Sequence, residues 1–207
     1  MANAVSATKA RQVAVLEEDE LRAQVYRLLA NLLRKAPEEG ELKLISGLSG
    51  DESALGSAFQ KIAKTAGNSS APDISDQFDQ IFVGVGRGEL LPYASYYLTG
   101  FLHEKPLAKL RTDMAELGVA RGNNVSEPED HIAALCEMMA GLILGDFGEV
   151  VPLQRQKEFF ARHVESWAKL FFEDLAATNS SKFYGAVGEV GAAFIDIETD
   201  AFRMIES

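Results

Sequence analysis

Apolar side chains recur at intervals of three and four residues through almost the whole chain, and this spacing constrains the fold more than any other feature. On a helix of 3.6 residues per turn such positions form one stripe, which another element must cover. Leu21, Val25, Leu28, Leu29, Leu32 and Leu33 make the first stripe. Glu17, Glu18, Asp19 and Glu20 precede it, where the helix dipole favours negative charge, and Pro37 and Gly40 close it. Shorter helices are predicted over 41–48 and 53–66, the second presenting Leu55, Phe59 and Ile62. Pro72 and Asp73 open a helix carrying Phe78, Ile81 and Phe82. Pro106 suits the first turn of a helix lined by Leu107, Leu110, Met114 and Leu117 and stopped at Gly118. Ser126, Glu127, Pro128 and Glu129 read as a capping box before a helix with Ile132, Leu135, Met139 and Leu142 inward. Phe160, Val164, Trp167 and Phe171 continue the pattern beyond Pro152, and Phe183, Val187, Val190, Phe194 and Ile197 make the last helix. No convincing strand is visible, so the predicted class is all-α. The expected organisation is a disordered tail over 1–16 and one helical domain over 17–207. A break at 84–92, rich in glycine and ended by Pro92, is its only candidate hinge.

Charge and composition narrow the functions. A formal charge of −11 opposes phosphate-backbone binding, which needs clustered Lys and Arg, so no nucleic-acid partner is expected. One cysteine, Cys136, rules out an internal disulfide and fits a reducing cytosol. The first residues lack the apolar run of a secretory signal, and no segment approaches the ~20 apolar residues that span a bilayer. A cytoplasmic protein with no stable membrane insertion is expected.

Catalytic patterns are missing. There is no phosphate-binding P-loop, no H-E-x-x-H pair and no G-x-S-x-G elbow. The run Gly84, Gly86 and Gly88 has the wrong spacing for a dinucleotide loop and reads as a connector. Three scattered histidines propose no metal site. Cys136 lies about 140° round the helix from His131, so the two do not form a nucleophile pair, and a buried apolar Cys136 is expected. No catalytic residue, metal or cofactor is therefore expected.

Two clusters remain. In Glu127-Pro128-Glu129-Asp130-His131 the first carboxylates fit helix capping, whereas Asp130 and His131 are left over. Asp130 is expected to lie exposed at the helix mouth, with His131 at the edge of the core stripe; together they could grip a polar or cationic ligand. Tyr93, Tyr96 and Tyr97 crowd the segment after the glycine break, either as a binding surface or as a seal over the core.

The first cluster resembles the E-P-x-D-H signature of the TorD/DmsD/NarJ chaperones of molybdoenzymes. Further segments are similar to that family in the same order: Tyr26 to Ala30, Phe78 to Gly84, Pro92 to Leu98, and the stretch through Phe159, Phe160, His163, Trp167, Phe171, Asp174 and Leu175. The resemblance implies an all-helical chaperone, not an enzyme. Its partners would be a molybdoenzyme catalytic subunit, such as a formate dehydrogenase or a reductase of dimethyl sulfoxide or trimethylamine oxide, and that subunit's twin-arginine signal peptide. It would hold the client while molybdenum cofactor is inserted. By position, Pro128, Asp130 and His131 would bind the signal, with Tyr93, Ser95 and Tyr97 nearby. Two other readings are a guanine-nucleotide-binding or hydrolysing protein and a helical scaffold for a folded subunit. A monomer is expected, able to exchange halves into a dimer through 84–92.

Overall fold

The computed structural model describes residues 16–121 and 127–205. Apart from Leu16, the tail expected over 1–16 lies outside these, as does Ser126 of the expected capping box. The described residues form ten α-helices and no strand, as the spacing predicted. They are α1 (Glu17–Arg34), α2 (Glu39–Ser46), α3 (Ala54–Gly67), α4 (Ala71–Phe78), α5 (Ala94–Thr99), α6 (Lys105–Glu116), α7 (Ile132–Leu144), α8 (Leu153–His163), α9 (Ala168–Ala176) and α10 (Lys182–Met204).

Two long contacts organise the bundle. Helix α1 packs along α7, and α10 lies against α9 and α3, with α2 covering α3 and α8 flanking α7. The α1 stripe is rotated from its predicted position: Ala23, Tyr26, Leu29, Ala30 and Leu33 are buried, while Leu21 is exposed. Small Ala23 and Ala30 let α7 approach closely, and aromatic Tyr26 fills the space beside them, so counting aliphatic residues alone missed the true centre. Ile197 is likewise exposed, and the inward position on that turn of α10 belongs to Glu198.

Glu198 is fully buried. Arg22 grips both its oxygens, Nε to Oε1 at 2.7 Å and Nη2 to Oε2 at 2.9 Å, and the Tyr26 hydroxyl donates to Oε2 at 3.0 Å. A buried carboxylate needs such partners, because an unpaired one would cost several kcal/mol. The cluster pins α1 to α10 in one register.

The segment after α4 stays helical but widens into a π turn over Asp79–Val83, closed by Gly84 N–H donating to the Asp79 carbonyl at 2.7 Å. The Phe78 and Phe82 rings pack on each other and on Tyr184. Gly84 has φ +62°, and a Cβ there would stand 2.1 Å from the Arg87 carbonyl oxygen, so glycine is required. The connector folds back through Leu90 N–H to the Ile81 carbonyl (2.9 Å), and Glu89 accepts from the hydroxyls of Thr178 and Ser180.

Helix α7 begins at Ile132, three residues later than a Ser126 cap requires. Its N-cap is His131, whose Nδ1 accepts from Ala133 N–H at 3.1 Å. Glu129, expected to complete the capping box, is bonded instead to Arg111 on α6. Between α8 and α9 the chain breaks at residues 164–167 without a proline, held by Trp167 Nε1–H donating to the His163 carbonyl at 2.8 Å.

Helices α9 and α10 touch through glycine. A Cβ at Gly188 would lie 2.3 Å from the Ala176 nitrogen, and one at Gly191 2.1 Å from Phe172 Cδ1. Gly188→Ala should therefore destabilise the protein by about 1–3 kcal/mol, although alanine is the better helix former by roughly 1 kcal/mol. Urea denaturation checks this; a variant as stable as the parent would show that the helices can part without cost.

Candidate functional site

Two segments distant in sequence are stitched together beside the start of α7. Ala94 N–H donates to the Asp130 carbonyl (3.0 Å), and Ile132 N–H to the Pro92 carbonyl (2.8 Å), forming a single antiparallel bridge between Tyr93 and His131. The Asp130 side chain adds a third bond, its Oδ2 accepting from Ser95 N–H at 2.8 Å. Pro128 shapes the approach, its carbonyl accepting from His131 N–H at 3.1 Å.

This stitching corrects the expected position of Asp130. It is 1% exposed and caps the first turn of α5, which has no capping side chain of its own. Ser95 is buried behind the same strap. Tyr97 donates to Asp174 at 2.9 Å and packs on Trp167 and Phe171, sealing α5 onto α9. Tyr96 bonds Arg87 on the connector. Only Tyr93 of the three tyrosines joins His131: the rings meet edge to face at 5.0 Å, and the Tyr93 hydroxyl donates to Glu127. The six predicted site residues thus divide. Tyr93 and His131 face one cavity, Asp130 lines another, and Ser95, Tyr97 and Pro128 line neither.

The cavity beside Tyr93 and His131 has a volume of about 570 Å³, with apolar walls from Leu33, Phe78, Phe82, Val83 and Pro92. A second cavity of about 440 Å³ adjoins it, walled by Met114, Val119, Met138 and Phe147. Glu127, Ala134 and Glu137 border both, so the two form one groove with a carboxylate pair at its waist. Arg34 pairs with Glu137, and both side chains remain about half exposed. Glu129 stands behind the waist. Burial opposes its ionisation, but Arg111, bonded to Oε2 at 2.8 and 3.1 Å, outweighs that and holds its carboxyl below the usual value.

Sequence reasoning missed Phe78, Phe82 and Val83 as groove walls and Glu137 at the waist. Glu137 had a legible signal, since it is the only charged residue in the run Ile132–Leu144. The aromatic wall had none, because the π turn that groups it depends on tertiary bonds.

His131 is held neutral. Burial depresses its pKa to about 4, against the raising pull of Glu127 and Asp130. Such a histidine is neutral in the fold and takes up a proton on unfolding. Its contribution to stability is complete above the unfolded value near 6.5 and is lost as pH falls towards 4. Lowering pH from 7 to 5 should cost ~2 kcal/mol at this residue, and His131→Gln should remove that part of the slope. His163, also depressed by burial, leaves a residual slope of the same sign in both proteins. Separately, Asp130→Ala should lose about 1–3 kcal/mol by leaving the Ser95 N–H unpaired. Denaturation of the parent and both variants at the two pH values checks both outcomes.

Comparison with known proteins places these features in a family. The model of the family described as nitrate reductase delta subunit matches residues 49–173. A chaperone protein TorD of Vibrio cholerae is 26% identical over 198 residues, covering 86% of this chain and 90% of the relative. The TorD proteins of Vibrio parahaemolyticus (25% over 202 residues; 87% and 94% covered) and Photobacterium profundum (26% over 204 residues; 87% and 93%) are similar to it as well. Among solved structures, a redox enzyme maturation protein from Archaeoglobus fulgidus matches with a TM-score of 0.55 and 18% identity, covering 85% of this chain and 94% of that one, which supports the fold. With more than half of its length matched by the family model, the chain belongs to the nitrate reductase delta subunit family, in which the TorD/NarJ resemblance had placed it.

Proposed function

We propose that this protein is a cytoplasmic maturation chaperone that binds the twin-arginine signal of a molybdoenzyme catalytic subunit while the client takes up its cofactor, and that it catalyses no reaction. The observation that carries the reading is the groove with a carboxylate waist between two apolar reaches. A twin-arginine signal has the complementary order, a basic head followed by an apolar stretch. Its paired arginines meet Glu127 and Glu137, displacing Arg34 from Glu137, while the apolar stretch lies against Phe78, Phe82 and Val83. Exposed ion pairs give only ~0–1 kcal/mol each, so the carboxylates set position and register. Most of the affinity comes from apolar burial, and micromolar binding needs only about −8 kcal/mol.

In this reading Tyr93 and His131 are contact residues. His131, with its Nδ1 occupied by Ala133 N–H, carries its proton on Nε2 and so offers a donor to a peptide carbonyl. Asp130, Ser95, Tyr97 and Pro128 act indirectly, by fixing the strap. The relatives' description as chaperones and the family match agree with this role.

The test uses a fluorescent peptide of the client's twin-arginine leader. Glu127→Gln combined with Glu137→Gln should weaken binding about tenfold, the scale of one or two partly exposed charge-assisted bonds. Val83→Asp, at a residue 58% exposed, should weaken it at least as much without unfolding the chain. Unchanged affinity in both variants would remove the groove from the account. Binding of client that persists without its leader would favour a scaffold for the folded subunit.

A further inference from the structure

A separate cleft opens between α5, α6 and α8, sharing no lining residue with the groove. It consists of a cavity of about 310 Å³ and an adjoining one of about 430 Å³, which have Lys109, Arg162 and His163 in common. Its charge runs against the rest of the molecule. In a chain of net charge −11, three cations, Lys105, Lys109 and Arg162, stand around this mouth. Arg162 is bonded to Asp113 at 3.1 Å, and Asp113 also meets His163 Nε2 at 2.7 Å. Among the described residues neither Lys105 nor Lys109 has a carboxylate partner.

The lining holds a second unexplained feature. Asp130 is 1% exposed, and only its Oδ2 is used, by Ser95 N–H; Oδ1 has no hydrogen-bond partner. A buried carboxylate oxygen without a donor costs free energy, and a ligand that supplies one recovers it. Between this acceptor and the cationic rim the wall is apolar, from Leu98, Pro106, Leu110 and Leu135. A volume of this size falls in the range of small-molecule sites and is too confined for a folded partner.

We propose that this cleft binds a small phosphate ester whose other end carries an O–H or N–H donor. The phosphate lies among Lys105, Lys109 and Arg162, the donor reaches Asp130 Oδ1, and the carbon skeleton crosses the apolar wall. A phosphate suits the rim because it carries up to two charges, enough to engage both unpaired lysines. The carboxylate beyond the rim selects against anions that have nothing to donate. The site does not depend on the peptide groove, and either can fail without the other.

Ribose 5-phosphate and ethyl phosphate serve as probes, the first with hydroxyl donors and the second with none. Calorimetric titration at low ionic strength should show saturable binding of ribose 5-phosphate, about tenfold tighter than ethyl phosphate. Lys105→Gln combined with Lys109→Gln should weaken ribose 5-phosphate at least tenfold. Both lysines are exposed, so the variant's helical circular dichroism should match the parent's and a loss of binding is not a loss of fold. No saturable binding, an affinity unchanged in the double variant, or equal affinity for the two probes would each overturn the assignment.

Discussion

Helix α7 must be buried on nearly every side, and the rest of the molecule is arranged to do this. Between Ile132 and Leu144 only Glu137 is charged, and ten of the thirteen residues are buried. Each large apolar side chain taken from water contributes ~1.5–3 kcal/mol, so no single partner helix could satisfy such a segment. Helix α1 covers one side and α8 another, and the strap from Pro92 to Ser95 closes its N-terminal end. The C-terminal end is turned by Gly145 in the left-handed conformation (φ +78°), beside Phe147, which touches the bare backbone of Gly141.

A segment buried all round carries no information about which way its neighbours should face. That choice falls to the few polar groups inside. Glu198, held by Arg22 and Tyr26, fixes how α1 and α10 meet, since sliding either helix by one turn would strand a buried charge. Asp130 acts similarly at the other end: its carboxylate ties α5 to the start of α7 and so sets the strap from which Tyr93 projects. These groups specify register more than they add stability.

The strap also explains how one short motif serves two cavities. Neighbours in an extended segment point to opposite sides, so Asp130 and His131 diverge although they are adjacent. His131 looks into the acidic-waisted groove and Asp130 into the cationic cleft. A helical reading of the same residues puts them about 100° apart on one exposed turn, which is why Asp130 was expected in solvent. The helix starts later because His131 caps it and Glu129 is drawn away to Arg111.

The all-α class was settled by the sequence itself, because spacing of three and four is a local property that survives any packing. The same holds for glycine and proline stops such as Gly118 and Pro106, and for the burial of Cys136 within an apolar run. The ordered motifs likewise made the family legible. Tertiary structure alone decided which face of α1 turns inward, because Ala23 and Ala30 are chosen for close approach and not for hydrophobicity. It alone formed the groove, whose walls come from α1, the π turn, the strap and α7. It also buried Asp130, by supplying the Ser95 N–H from a segment 35 residues away, a bond that no local pattern of spacing or charge encodes.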